Sequence, residues 1–249
     1  MREQPEQRAP PVQWLRIRYA KRGRLRFTSH RDFSRAFERA VVRARIPMAY
    51  SSGFHPHPRI SYAGAAPTGA ASEAEYLEIG LAQVVDPASV HADLATALPD
   101  GLDVLAVVES PGGSLADLLT ASRWTVRLPA TWPDPTVAVE AFLATEQVLV
   151  ERMTKKGLRA FDCRAAVVSL TVVVAEDGQE LDLVLDLVLR HTVPAVRPDD
   201  VLLGLARVAG DAPAADPRVR TAGPLVTRWE QGPLDETTGR VGDPLAPSA

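Results

Sequence analysis

A stiff loop carrying two imidazoles is the first candidate for chemistry in this chain. It has the sequence Gly53-Phe54-His55-Pro56-His57-Pro58-Arg59. Proline fixes φ and removes a backbone donor, and the residue before each proline is driven to an extended conformation. His55 and His57 are therefore expected to point to the same side of an extended segment. Imidazoles act as general bases and metal ligands, and they can also contact phosphates, so the loop is a candidate site.

A row of arginines precedes the loop. A helix is predicted to begin at Ser29, which has the spacing of a capping box with Asp32, and to end before Pro47. Like charges four residues apart on a helix repel each other by a few tenths of a kcal/mol per pair. Such a row indicates either an external anion or a solvated basic face. The row consists of Arg31, Arg35, Arg39 and Arg43.

The charge of the chain is strongly asymmetric. Residues 1–59 hold 14 of the 28 basic residues and 4 of the 31 acidic ones, a net charge of +10, whereas residues 60–249 carry a net −13. This distribution suggests a face for a polyanion, although neutralisation of one half by the other is the alternative. We expect further phosphate contacts from basic residues before the helix and after the loop, namely Lys21, Arg22, Arg24 and Arg59.

Three kinds of chemistry fit these residues. In RNA binding, the arginines hold phosphates while Phe54 or Tyr62 stacks on unpaired bases. In a nitrogen/oxygen metal site, the imidazoles combine with nearby carboxylates. In RNA cleavage, a histidine acts as general base and an arginine stabilises the developing charge. The candidate bases or ligands are His30, His55 and His57. The expected pocket residues are Ser29, Phe54, Tyr62, Glu73 and Glu75.

Composition excludes several other classes. The single cysteine, Cys163, rules out an intrachain disulfide framework and any cysteine-rich cluster built from this chain alone. No apolar stretch reaches the ~20 residues that span a bilayer, and residues 1–8 lack an apolar core of the signal-peptide type. We therefore predict a cytoplasmic protein without a membrane partner, and we predict no cofactor.

Hydrophobic periodicity predicts an α+β fold of two tandem ferredoxin-like (βαββαβ) subdomains with disordered termini. The first covers residues 12–109 and includes the arginine helix and the loop. A linker follows at 110–119, and the second subdomain covers 120–230. Residues 1–11 and 231–249 are polar and rich in proline or glycine, which predicts disorder.

The strand pairing of the second subdomain follows from one turn. Residues 148–153 and 163–174 are strand-like, and Lys155-Lys156-Gly157 lies between them. We expect these two strands to pair about that basic turn. Residues 180–190 and 225–229 are the remaining strands after residues 123–128, with helices at 137–143 and 197–208.

Four stretches carry a resemblance to a known family. They are Leu25-Arg26-Phe27-Thr28-Ser29-His30-Arg31-Asp32, Gly53-Phe54-His55-Pro56-His57-Pro58, Ala66-Pro67-Thr68-Gly69 and Ser72-Glu73-Ala74-Glu75-Tyr76. Residues 23–81 resemble a bacterial family of radical-SAM-linked (radical-SAM-associated) proteins of unknown function, whose members occur alone or fused behind a cobalamin-binding radical-SAM module. The resemblance implies a radical-SAM partner and no defined activity. The pair Ala65-Ala66 is smaller than the apolar pair expected there.

These observations lead to one principal hypothesis and two alternatives. The principal one is a non-catalytic RNA-binding or substrate-presenting partner of a radical-SAM RNA-modifying system. The first alternative is an RNA endonuclease or metal-dependent enzyme centred on His30, His55 and His57; the doubled fold pattern is similar to that of CRISPR repeat-processing endonucleases, which is an analogy of fold only. The second is a protein-interaction adaptor that docks an acidic partner.

Overall fold

The computed structural model describes residues 7–129, 134–154, 157–176, 181–210 and 223–246. The predicted basic turn at Lys155-Lys156 lies outside these residues. The chain divides into two compact units. Unit 1 contains residues 1–118 with 244–249, and unit 2 contains residues 119–243.

Unit 1 is built from four strands and two principal helices. The strands pair antiparallel in the order β4-β1-β3-β2. A 3-10 helix at Gly23–Phe27 precedes α1, and a short helix, α3 (Leu115–Leu118), ends the unit. The principal elements are β1 (Gln13–Lys21), α1 (His30–Arg43), β2 (Ile60–Ala63), β3 (Ala71–Leu81), α2 (Pro87–Ala97) and β4 (Leu102–Glu109).

Helix α1 begins where the sequence predicts. The Ser29 side chain accepts a hydrogen bond from the Asp32 backbone N–H at 3.2 Å, and its hydroxyl donates to the Asp32 carboxylate at 2.7 Å. Ser29 is thus the N-cap of α1, and the Asp32 carboxylate bonds the Ser29 hydroxyl in place of the Ser29 backbone N–H that the acid of a capping box bonds. Phe33 and Phe37 are buried in the core, where Phe33 stacks on Tyr19 with ring centroids 4.4 Å apart. This packing fixes which face of α1 remains at the surface.

Unit 2 has a four-stranded antiparallel sheet in the order β10-β5-β9-β8. A separate two-stranded hairpin is formed by β6 and β7. The elements are β5 (Ala121–Arg127), α4 (Thr136–Ala144), β6 (Leu149–Thr154), β7 (Gly157–Asp162), β8 (Val167–Glu176), β9 (Leu181–Arg190), α5 (Pro198–Val208) and β10 (Leu225–Gly232).

The predicted pairing of residues 148–153 with 163–174 is wrong. Strand β6 pairs with β7, which the sequence-based prediction missed, and β8 pairs with β9. A 3-10 turn at Arg164–Ala166 separates β7 from β8. This turn breaks the run of strand-like residues and redirects the chain.

Residues 233–242 differ from the disordered tail predicted from composition. Leu234 and Val241 form an antiparallel bridge, and the Asp235 carboxylate accepts hydrogen bonds from the backbone of Thr237 and Thr238. Aspartate at this position of a turn holds the following N–H groups, so the proline- and glycine-rich composition here produces an ordered turn. Across the described ranges, the helices are all too short or too polar to cross a bilayer.

Candidate nucleic-acid interface

Three arginines of α1 form an exposed row. Arg31, Arg35 and Arg39 are exposed, and within the described residues none of them has a hydrogen bond or an ion pair. Successive members are about 6 Å apart along the helix axis and rotated by about 40°, because an α-helix rises 1.5 Å and turns about 100° per residue. The nearest acidic side chain before Arg35 is Asp32, which is engaged by Ser29. The row is therefore a strip of positive charge without an ion pair in the described part of the chain, and Glu38, next to Arg39 in the sequence, is the one acidic residue of the helix after Asp32.

The fourth arginine of the predicted row has a different role. The Arg43 Nη1 donates to the backbone carbonyl of Ala97 at 3.1 Å. Ala97 is the last residue of α2, where carbonyls lack partners within the helix and where positive charge is favourable. Arg43 thus ties α1 to the end of α2.

Arg22 is bound by the chain's own acids. Its guanidinium donates to Glu73 at 2.5 and 2.7 Å and to Asp103 at 2.8 Å. The hydrogen bond to Glu73, with the charges of both carboxylates, raises the pKa of Arg22 above its already high value. Glu73 is consequently a partner of Arg22, and Arg22 carries little net charge toward the solvent.

Lys21 and Glu75 are buried on either side of Ala66. Lys21 is 5% exposed and Glu75 is 2% exposed. The Lys21 Nζ donates to the Ala66 carbonyl at 3.4 Å, and the Ala66 N–H donates to both Glu75 carboxylate oxygens at 3.3 Å. These two predicted site residues therefore hold the turn that contains Ala66-Pro67-Thr68-Gly69 and do not reach the surface.

Two further predicted contacts remain at the surface. Arg24 and Arg59 are exposed, and in the described ranges neither side chain has a hydrogen bond or an ion pair. Arg26, between Arg24 and α1, stacks its guanidinium over the Phe27 ring at 4.5 Å. The Gly69 N–H donates to the Arg26 carbonyl at 2.8 Å, which joins the Ala66–Gly69 turn to the approach to α1.

His30 lies against Tyr62 at the start of α1. Their rings meet edge to face with centroids 4.9 Å apart. The Tyr62 hydroxyl is buried and has no hydrogen-bond partner among the residues that the structure describes; the nearby Ser34 hydroxyl donates instead to the His30 carbonyl at 2.9 Å. Burial raises the pKa of Tyr62 to about 12, with the carboxylate of Glu38 adding to the shift and Ser34 opposing it. His30, Ser34 and Glu38 are spaced four apart, so they form a second row beside the arginines.

The loop with His55 and His57 is closed at its base. The Ser51 N–H donates to the His57 carbonyl at 2.9 Å, and the Ser51 hydroxyl accepts from the His57 N–H at 3.0 Å. Phe54 is 70% exposed at the tip, and both histidines are exposed. Among the residues that the structure describes, no three His, Cys, Asp or Glu side chains are grouped to hold a metal ion.

Distance along the chain explains which partners the sequence-based analysis missed. The contact of the Ser34 hydroxyl with the His30 carbonyl could have been predicted, because the two residues are four apart on one helix. Asp103, in contrast, lies 81 residues from Arg22. Arg16, 2% exposed, was missed in the same way: its Nε bonds Glu78 at 3.1 Å and its Nη2 bonds the Gly112 carbonyl at 2.8 Å. No local spacing signals such pairs.

Cys163 has the surroundings of a packing residue. Its side chain is fully buried, and its Sγ lies 2.8 Å from the position that a Cβ at Gly204 would occupy. Burial raises the pKa of the thiol to about 12, and the nearby Asp162 and Asp200 add to the shift. Because the thiolate is the reactive form, Cys163 is a poor nucleophile.

The strand order and helices define a mixed α+β protein whose first unit presents a basic helix. Comparison with known families then places it: the chain belongs to the family described as "Uncharacterized protein conserved in bacteria (DUF2344)", which matches residues 14–198. This family description assigns no activity. No curated protein matches the chain.

One solved structure is similar over most of the chain. It is described as the crystal structure of an unknown protein from Galdieria sulphuraria, with 14% sequence identity, a TM-score of 0.24, and coverage of 88% of this chain and 98% of that one. A TM-score this low carries no argument about fold or function.

Proposed function

We propose that this protein binds RNA through α1 and is itself non-catalytic. The observation that carries the proposal is the exposed row of Arg31, Arg35 and Arg39, which has no acidic partner within the described residues. The other basic residues of unit 1 divide sharply: Lys21 is buried and Arg22 is neutralised by Glu73 and Asp103. The exposed positive charge of unit 1 therefore comes from this helix row together with Arg24 and Arg59, while Lys21 and Arg22 contribute little to it.

A polyanion is the partner that suits this row. Three cations about 6 Å apart along one helix face match a ligand with repeated negative charges better than a single small anion. Arginine is also the side chain that best suits phosphate, because its planar guanidinium donates two parallel hydrogen bonds. Phe54, 70% exposed at the tip of the loop, offers a surface on which an unpaired base can stack.

The partnership with a radical-SAM enzyme belongs to the same proposal. Its support is the resemblance of residues 23–81, and the structure adds that three of the four matching stretches meet around the start of α1. The Gly69 N–H bonds the Arg26 carbonyl, and the Glu75 carboxylate bonds the Ala66 N–H. In this proposal unit 1 presents RNA to an enzyme that modifies it. Co-purification of an affinity-tagged copy from the native bacterium tests the partnership, and failure to recover a radical-SAM protein with or without crosslinking contradicts it.

We also propose that both units are ferredoxin-like subdomains. In support, unit 1 has the element order β-α-β-β-α-β with the strand order β4-β1-β3-β2. Unit 2 has the strand order β10-β5-β9-β8, with the β6–β7 hairpin inserted between α4 and β8. If the hairpin is set aside, the strands of each unit lie in the same order across the sheet, namely fourth, first, third and second.

A salt titration of RNA affinity tests the RNA proposal. The double variant Arg35→Gln/Arg39→Gln removes two of the three phosphate contacts and keeps the length and polarity of the side chains. For single strands each lost contact lowers the slope of log affinity against log salt by about 0.7. We therefore expect a slope smaller by about 1.4 and a much weaker affinity at low salt, measured by fluorescence anisotropy of a labelled single-stranded RNA.

A matched control has the same net charge as the α1 double variant. Arg159→Gln/Arg240→Gln also removes two exposed cations, in this case from unit 2, and we expect it to leave the slope within about 0.3 of the wild type, since no phosphate contact is lost. If both double variants weaken RNA binding equally, the loss comes from the lower net charge, and the proposed site on α1 is contradicted. If the wild type binds no RNA at low salt, the proposed function is wrong.

The enzymatic alternative depends on three histidines. The side chains of His55 and His57 are exposed on the loop, and the His30 ring meets the Tyr62 ring edge to face. Cleavage of RNA in the presence of EDTA that is lost in His30→Ala, His55→Ala or His57→Ala supports an endonuclease. Intact RNA after prolonged incubation with the wild type contradicts it.

A further inference from the structure

The outer face of the unit 2 sheet presents a tryptophan at a β-bulge. The register of β10 against β5 shifts between Arg228 and Glu230, so Trp229 is the extra residue that has no direct partner on β5. Bulges redirect side chains and are frequent next to functional sites. Here the bulge leaves Trp229 44% exposed, and the side chain does not join the core.

A comparison with the other tryptophan of this sheet shows how unusual that placement is. Trp124 on β5 is 4% exposed, its Nε1 donates to the Ser122 hydroxyl at 2.7 Å, and the Arg228 guanidinium lies 5.3 Å from its ring. Trp124 therefore stabilises the core. The Trp229 Nε1 donates to the Thr125 hydroxyl at 2.8 Å. Because its one polar atom is satisfied, the exposed part of the Trp229 side chain is the apolar ring.

The exposed ring borders a groove of about 570 Å³ on this face. Arg123 and Arg127 line it together with Thr125 and Thr227, and none of its lining residues is acidic. The Arg123 guanidinium is held in place by the Asp186 carboxylate at 2.6 and 3.0 Å and also lies 3.5 Å from the Glu230 carboxylate, so these acids balance its charge and fix its position. Arg127 is the second arginine that lines the groove, and it too is engaged within the structure. The size is within the range of small-molecule sites.

We propose that this groove binds a nucleotide unit, with the base stacked on Trp229 and the phosphate at Arg127. An aromatic face next to a cation is the combination that recognises unpaired nucleotides without reading their sequence, and the hydroxyl of Thr227 is placed to bond sugar or base atoms. Two sources supply this chemistry: an unpaired nucleotide of an RNA, or a free nucleotide. The first source depends on the proposed RNA-binding function, whereas the second is independent of it.

The experiment uses the full chain and two probes. One is a short fluorescein-labelled single-stranded RNA followed by anisotropy, and the other is adenosine monophosphate followed by calorimetry. Stacking on an aromatic side chain corresponds to a roughly five- to 150-fold change in affinity when the ring is removed. We therefore expect Trp229→Ala to weaken binding by at least fivefold. Trp229→Phe retains a ring and should stay within about threefold of the wild type.

The control variant is Val173→Ala. Val173 is also exposed on the unit 2 sheet, at 46%, but it does not line the groove. We expect it to bind both probes like the wild type. Adenosine, which lacks the phosphate, is a comparison ligand for the next variant. Arg127→Gln is expected to weaken the binding of adenosine monophosphate more than that of adenosine.

The outcomes separate the sources and the two proposals. Loss of RNA binding alone in Trp229→Ala assigns the groove to RNA, and loss of adenosine monophosphate binding as well shows that a free nucleotide suffices. If Arg35→Gln/Arg39→Gln weakens RNA binding while Trp229→Ala changes neither probe, the groove proposal is overturned and the α1 proposal stands. If the wild type binds no RNA but binds adenosine monophosphate, and Trp229→Ala abolishes that binding, the groove proposal stands and the α1 proposal is overturned.

Two additional measurements keep the test decisive. Should Trp229→Ala fail to fold, ultraviolet crosslinking of the wild-type protein to the RNA or to adenosine monophosphate is expected to label the peptide containing Leu225–Gly232; crosslinks of both probes confined to unit 1 overturn the proposal. Should sedimentation show a wild-type dimer that Trp229→Ala dissociates, a second copy of the chain covers the groove, and the proposal is overturned.

Discussion

The buried charges at Ala66 allow a sharp test of which basic residues are structural. Lys21 and Glu75 are 5% and 2% exposed and bond the carbonyl and the N–H of the same residue. Changing Lys21→Met leaves the carboxylate of Glu75 in the interior without that cation. Breaking a buried pair in this way typically costs about 3–5 kcal/mol. We therefore expect Lys21→Met to lower the free energy of unfolding of unit 1 by about that amount.

The magnitude can also be obtained from the separation of the charges. Both groups contact Ala66 at 3.3–3.4 Å, and we take a charge separation on the order of 6 Å as the basis of the calculation. At an effective dielectric constant of about 20 the attraction is about 3 kcal/mol. A double-mutant cycle with Glu75→Gln isolates this part, since the pair Lys21→Met/Glu75→Gln removes both charges. We expect the double variant to be more stable than Lys21→Met alone, with a coupling energy of about 2–3 kcal/mol.

Urea denaturation followed by circular dichroism measures these differences, and RNA affinity is measured on the same variants. Arg24→Met is the matched control, because Arg24 is an exposed cation three residues away. We expect Arg24→Met to change stability by less than about 0.5 kcal/mol while weakening RNA binding. The reasoning is refuted if Lys21→Met weakens RNA binding without shifting the urea midpoint, since Lys21 would then be a surface contact.

Two further predictions concern single side chains. Tyr62→Phe removes a buried hydroxyl that has no partner, so we expect it to stabilise the protein by about 1 kcal/mol, or about 2–4 °C in melting temperature; a loss of stability in the thermal melt would show that the hydroxyl is bonded. For Cys163, burial raises the pKa of the thiol to about 12, so iodoacetamide should modify it only after denaturation, even at roughly pH 10, above the usual thiol pKa of about 8.5. Because the unfolded thiol ionises near 8.5 and the folded one keeps its proton up to about 12, this group should lower stability as the pH rises through that interval. Rapid alkylation of the native protein, detected by mass spectrometry, would contradict both statements.

Local features of the fold were predictable from the sequence. The start of α1 follows from the spacing of Ser29 and Asp32, and its buried stripe follows from the helical period of Phe33 and Phe37. The α+β character follows from the alternation of strand and helix patterns. Each of these depends on residues within one or two turns of each other, where spacing and geometry are directly related.

Whether a given arginine is paired with an acidic side chain or exposed to solvent could not be predicted from local spacing. Arg22 and Arg31 are equally basic in sequence, yet Arg22 lies next to a strand whose neighbours provide Glu73 and Asp103, whereas the Arg31 side chain has no ion pair within the described ranges. Strand register decides this difference, and register depends on contacts between distant parts of the chain. The β6–β7 hairpin was missed for a related reason: an alternating pattern identifies a strand but does not say which strand pairs with it.

The closed base of the loop at Ser51 has a practical consequence for labelling. One main-chain hydrogen bond and one bond from the His57 N–H to the Ser51 hydroxyl hold the base, so a change at the tip need not disturb the rest of unit 1. The chain has one native thiol, Cys163, and it is buried. A cysteine introduced by His55→Cys would therefore be the single reactive thiol of the folded protein, ready to carry a fluorophore or a photo-crosslinker without removal of the native one. Whatever docks beside the loop would then be within reach of a covalent reporter.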